Sequence, residues 1–164
     1  NPTPDYTFGF NFSADYKGAY IGVTAYGAAG HQVAMSYRPG SKGNFTDYHM
    51  GRWTETNPSN TQPRLTASTA HRNYLNVSDY YMHDANFLRI SNITIGYDVS
   101  RLFEKPAIRE LRVYFTGQNL FTFTKYPGMD PVVGYGGDVD WGSGIDLGLY
   151  PQSKTYMVGI SAKF

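Results

Sequence analysis

The sequence predicts an all-β chain built from five long antiparallel strands, on three observations. Charged residues make up 16%, below the roughly 25% of a typical soluble domain, while aromatics also reach 16%, with 15 Tyr and 10 Phe. Gly is abundant at 18 residues, which weighs against helices. Apolar and polar residues alternate with period two over several long stretches, the pattern of a strand with one apolar face. Mean hydropathy is still polar at −0.43, and no run approaches the ~18 apolar residues of a membrane helix. This composition suits a β-sandwich, or a barrel whose outer face meets lipid.

The first strand, YTFGFNFSADY (6–16), has the clearest alternation. Phe8, Phe10, Phe12, Ala14 and Tyr16 share one face, while Thr7, Gly9, Asn11, Ser13 and Asp15 share the other. Lys17-Gly18 is a tight-turn signal, and the second strand follows over 19–29, with Ile21, Val23 and Ala25 opposed to Tyr20, Gly22, Thr24 and Tyr26. The third strand spans 86–100. Its apolar parity changes from Leu88 and Ile90 to Ile93, Ile95, Tyr97 and Val99, a phase slip that predicts a β-bulge near Ser91-Asn92. The fourth, 111–126, carries Leu111, Val113, Phe115, Phe121 and Phe123 on one face, interrupted at Gly117 and Asn119. The fifth, 154–164, ends the sequence on Tyr156, Val158, Ile160, Ala162 and Phe164.

The connections alternate in length. Lys17-Gly18 and 101–110 are short, whereas 30–85 is long and polar and 127–153 is long and rich in Gly and Pro. A compact soluble domain rarely holds such loops. Outer-membrane barrels have short periplasmic turns, long extracellular loops and strands of about ten residues that alternate apolar-out and polar-in. With the last strand ending at the periplasm, both long loops fall outside the cell. Tyr16, Tyr20, Tyr126 and Tyr156 then lie near strand ends, where an interfacial aromatic girdle would place them.

Several function classes are excluded or left without support. The net charge of +1 and the lack of a basic run give no reason to expect nucleic acid. There is no cysteine, hence no disulfide and no thiolate metal site. No catalytic motif emerges, neither G-x-S-x-G nor a P-loop, so no enzyme is expected. His31, His49, His71 and His83 lie in or beside the first long loop without metal-ligand spacing. Asp138, Asp140 and Asp146 lie close together among glycines. Such carboxylates can bind Ca²⁺, but the EF-hand ligand order and its closing Glu are missing, so no cofactor is expected. Trp53 and Trp141 in the long loops could stack on sugar rings, with packing inside a folded loop as the alternative. With Asp138 and Asp140 they form the ligand-binding candidates. Asn11, Ser13, Asp15, Thr116 and Gln118 would line a barrel lumen or meet a plug.

Four segments carry a resemblance. NPTPDYTFGFNFSADYKG, NFLRISNITIGYDV, LRVYFTGQNLFTFTKYPGMDP and GIDLGLYPQSKTYMVGISAKF closely resemble, in the same order, the C-terminal part of SusC/RagA-type transporters, the TonB-dependent outer-membrane proteins of Bacteroidetes. The resemblance covers nearly the whole chain and weakens over 31–70. It implies that residues 1–164 supply the last five strands of a plugged barrel of about 22 strands, with two long extracellular loops. In this family the plug and the segment that contacts TonB lie in the N-terminal part, so the resemblance implies that both belong to sequence outside this chain. Five strands cannot close such a barrel, and the chain is expected to be a fragment, or one piece of a nicked or split transporter. The implied partners are the remaining N-terminal part, TonB through it, a SusD-like surface lipoprotein, the barrel-assembly machinery, outer-membrane lipid, and an oligosaccharide or peptide cargo. Tyr156, Val158, Ile160 and Phe164, alternating and closing on Phe, resemble the signal read by that machinery. The rival is a soluble β-sandwich glycan-binding module with Trp53 and Trp141 on its binding face. The two readings differ over Phe8, Phe10, Phe12, Val113, Phe115, Phe121, Phe123, Val158, Ile160 and Phe164, which a sandwich buries and a barrel exposes.

Overall fold

The computed structural model describes residues 1–36, 47–66, 76, 78–102, 109–132 and 144–163. Among the described residues eight strands form two sheets: β1 (Tyr6–Tyr16), β2 (Ala19–Ala29), β3 (Gln32–Met35), β4 (Met82–Asp84), β5 (Phe87–Asp98), β6 (Glu110–Thr124), β7 (Ile145–Asp146) and β8 (Thr155–Lys163). The larger sheet, the wall, runs β1-β2-β5-β6-β8 with every pair antiparallel. It is a meander in chain order, with both long connections at one end. That end is the loop end, and the opposite one is the turn end.

At the turn end Lys17 (φ 49°) and Gly18 (φ 89°) both take positive φ. This is the type I′ geometry whose twist matches the flanking strands. The register from Tyr6↔Ala29 to Tyr16↔Ala19 is unbroken, so Phe8, Phe10 and Phe12 of β1 and Ile21, Val23 and Ala25 of β2 fall on the same face.

The phase slip predicted near Ser91-Asn92 is a bulge. Thr24 faces Asn92 while Ala25 faces Ile90, which leaves Ser91 extra, and its hydroxyl donates to the Thr24 carbonyl at 3.1 Å. Across β6, Ile90 faces Phe121 and Asn92 faces Gln118. Asn119 sits between them at φ 53°, a left-handed conformation Asn tolerates better than most residues. The two irregularities lie level, so Leu88, Ile90, Ile93 and Ile95 stay on one face across the break.

The wall is inverted relative to a soluble sheet. On two of its three inner strands, β5 and β6, Ile95 and Phe115 are 53% and 42% exposed, whereas Arg89 and Thr116 on the opposite face are 3% and 6% exposed. The register joins Phe8, Phe10 and Phe12 to Ile21 and Val23, then to Ile93 and Ile95, Phe115, and Val158 and Ile160. No second sheet covers this band among the described residues, so the sandwich arrangement is not formed. An apolar band of this size on a strand face is what lipid covers.

The first long connection, read as poorly patterned, contains β3 and β4. With β7 from the second they form a three-stranded sheet, the cap, in the order β4-β3-β7, with β3 and β7 parallel. Its core is conventional: Val33, Ala85 and Tyr126 are buried together. Tyr16 and Tyr156 are exposed on the apolar face near strand ends, compatible with the girdle expectation. It fails at two positions. Tyr126 lies beyond β6, in the cap core. Tyr20 shares the parity of Gly22 and Thr24 on the polar face, where the Arg112 guanidinium lies 5.5 Å from its ring centroid.

Candidate functional site

The polar face of the wall holds the ordered side-chain chemistry. Thr94 and Thr116 hydroxyls meet at 2.9 Å between β5 and β6. Gly159 on β8 faces Tyr114, and a Cβ at Gly159 would overlap the Tyr114 ring. The ring therefore lies flat across the neighbouring strand, which only Gly permits here. These residues form a hydrated, hydrogen-bonding surface and carry no reactive group.

At the loop end the same face is joined to the second long connection through Arg89. Its Nε donates to Thr122 Oγ1 at 2.8 Å, Nη1 to Gln152 Oε1 at 3.1 Å and Nη2 to Asp130 Oδ1 at 2.6 Å. The Arg89 and Asp130 side chains are each only 4% exposed. Asp130 also accepts from the backbone N–H groups of Val132 (2.9 Å) and Gln152 (3.4 Å). A charge pair this deeply buried is tolerated only because its remaining donors and acceptors are satisfied.

The cap is tied together by shorter links. Ala34 and Ser36 N–H donate to the carbonyls of Gly144 and Asp146, both at 2.8 Å. Tyr126 Oη donates to Asp146 Oδ2 at 2.7 Å, and Gly148 N–H to Asp146 Oδ1 at 2.8 Å. Asp146, read from the sequence as one of three closely spaced Asp, is fully buried in this arrangement. Asp138, Asp140, Trp141 and Phe164 lie outside the described residues. Burial lowers the pKa of both His31 and His83, and for His83 the neighbouring Asp84 partly opposes the shift. Among the described residues no group of three or more His, Asp or Glu is placed to hold a metal.

Among the described residues, two of the concavities bear on the candidate residues. A cavity of about 530 Å³ lies between the loop end of the wall and the cap, lined by Tyr26, Phe87, His31, Val33, Pro131 and Val132. Tyr26 and Phe87 meet edge-on in it, with ring centroids 5.7 Å apart. Trp53 is half-buried in a depression of about 370 Å³ that it shares with Arg52, Glu55 and Arg64, well away in sequence from this cavity. Sequence reasoning missed Arg89, Tyr126 and Asp130. The parity of Arg89, between Leu88 and Ile90, already placed it on the polar face.

Known proteins match this chain end to end. No family model matches it. The TonB-dependent receptor P3 of Formosa agariphila is 31% identical over 173 residues, an alignment covering 100% of this chain and 17% of that protein. The TonB-dependent receptor SusC of Bacteroides thetaiotaomicron is 41% identical over 90 residues, 54% of this chain and 8% of SusC. Among solved structures, the RagAB peptide importer in its open-open state matches with a TM-score of 0.69, at 27% identity, over 99% of this chain and 17% of that one. A further RagAB peptide transporter structure gives 0.71, also at 27% identity, over 99% of this chain and 18% of that one. The chain thus spans about a sixth of the relatives it matches. By sequence and by fold alike, it is a relative of the SusC- and RagA-type TonB-dependent receptors and matches their C-terminal part.

Proposed function

We propose that this chain is the C-terminal barrel segment of a TonB-dependent outer-membrane nutrient importer, and not an enzyme. The observation that carries the reading is the inverted wall: Ile95 and Phe115 exposed, Arg89 and Thr116 buried on the other face. Only a sheet with lipid on one side and a polar lumen on the other is stable in that arrangement. The wall supplies scaffold and lumen surface, and the cap supplies extracellular contact surface. The plug, the TonB-contacting segment and the other strands belong to the rest of the receptor. A SusD-like lipoprotein covers the mouth and delivers an oligosaccharide or peptide, with Trp53, Trp141, Asp138 and Asp140 as contact residues. No metal or other cofactor takes part.

The test is native mass spectrometry of the detergent-solubilised assembly, together with phase partition. The expected result is recovery from the outer-membrane fraction only with detergent, with the remaining receptor sequence and a lipoprotein attached. Recovery in the aqueous phase would sink the reading. The proposed assembly signal (Tyr156, Val158, Ile160 and Phe164) has its own test: deleting Phe164 should lower outer-membrane levels of the receptor without altering the cargo it selects. Unchanged membrane levels would remove the signal from the proposal.

A further inference from the structure

We infer that Arg89 is a positioning residue, a latch that fixes the cap to the barrel wall. The inference rests on geometry alone and stands apart from the import reading. Arg89 projects from the polar face of β5, and its three donors engage three separate points: Thr122 on the neighbouring strand β6, and Asp130 and Gln152 at the two ends of the second long connection. One guanidinium therefore closes the base of that connection against the wall. Asp130 completes the closure by accepting from the Val132 and Gln152 amides.

The consequence extends beyond that connection. The segment it closes carries β7, and β7 pairs with β3 of the first long connection. Ala34 and Ser36 on the β3 side donate to Gly144 and Asp146 on the β7 side. The second connection also meets the wall at the Asn119 side chain, whose amide donates to the Ser153 carbonyl at 3.2 Å, and at Tyr126, whose N–H donates to Thr124 Oγ1 at 3.0 Å. Asn119 holds one end of the connection, whereas Arg89 holds both. An Arg suits this place because its planar fork donates in several directions from one fixed plane, which a Lys ammonium on a flexible stem does not. Being buried, the pair is screened little by salt, so the latch is set by geometry and not by ionic strength.

Loss of the latch should release the cap as a unit and leave the wall intact. The test is residue-resolved hydrogen exchange on the full-length protein carrying this chain, purified in detergent, for Arg89→Met, Asp130→Leu and the double variant. Amides of Val132 and Gln152, and those of Ala34 and Ser36 on the other connection, are expected to exchange at least ~10-fold faster in each single variant. Amides of Ile95 and Phe115 should not change. The double variant leaves no orphaned buried charge, and the cap amides should still exchange fast in it. Arg89→Lys, which keeps charge without the fork, should fall between wild type and Arg89→Met. Three results would overturn the proposal. Unchanged Ala34 and Ser36 would make the cluster a local loop contact. Equal acceleration in the wall would make Arg89 a general stability residue. Recovery of the cap amides in the double variant would mean that the pair only avoids an unpaired charge.

Discussion

The wall and the cap are built from one chain by opposite rules. In the wall, Phe and Ile point outward and an arginine is buried; in the cap, Val33, Ala85 and Tyr126 are buried together, with Asp146 buried and hydrogen-bonded to Tyr126. Hydrophobic burial removes apolar surface from water, so each pattern reports the solvent its element meets. Among the described residues the wall has both edges unpaired and its apolar band uncovered, an arrangement suited to lipid and further strands. The boundary between the two falls at the ends of β2 and β6, where Tyr26 and Phe87 give way to His31 and Tyr126.

The largest expected effect comes from breaking the inversion. Phe115→Lys places a charge in the apolar band and should cost about 2–4 kcal/mol at mid-depth, read as loss of heat-modifiable, folded receptor in outer-membrane fractions. Asn11→Lys, on the polar face of the same sheet, should leave that fraction unchanged. Similar losses from both substitutions would refute the assignment of faces. Next is the packing beneath Tyr114. Gly159→Val should destabilise the wall by about 1–3 kcal/mol through overpacking, and the effect should largely vanish in a Tyr114→Ala background, a coupling that a double-mutant cycle measures.

Two smaller effects are confined to the cap. Tyr126→Phe removes the donor to Asp146 and should cost about 1–2 kcal/mol of cap stability, visible as faster exchange at the Gly148 amide while the wall melts as before. The weakest is pH. Burial depresses the folded pKa of His31 and His83 below 6.5, so the unfolded cap binds more protons just under that value. The stability these residues contribute is fully present above pH 6.5 and is lost as pH falls through their folded values. Cap amides should therefore lose protection as pH falls below 6.5, with the wall unaffected. His31→Phe should reduce that response, and an unchanged pH profile in this variant would remove His31 from the account.

The wall was legible because period two is a local signal. The alternation from Phe8 to Tyr16, the Lys17-Gly18 turn and the slip at Ser91 can each be read within a few residues. The cap was not legible: β3 has four residues and β7 two, too short for any period, and their pairing joins positions far apart in the chain. Arg89 is an intermediate case. Its side of the sheet followed from its neighbours, but nothing near it in sequence named Asp130 or Gln152. Tyr20 and Tyr126 show the cost of reading residue type before position. Proximity to a strand end suggested a girdle, whereas parity assigned Tyr20 to the polar face and the end of β6 released Tyr126 into the cap.

Because the wall is a meander in chain order, each strand pairs with the next wall strand, and the connections never have to cross. Closing a flexible connection becomes costlier only with the logarithm of its length, by about 0.6 kcal/mol per doubling. The connections from Ala29 to Phe87 and from Thr124 to Thr155 can therefore lengthen, shorten or exchange their inner sequence at small energetic expense to the wall, provided that the ends at Asp130 and Gln152 still reach Arg89. Variation is thereby channelled into the two long connections, while the strand register of the wall is left untouched.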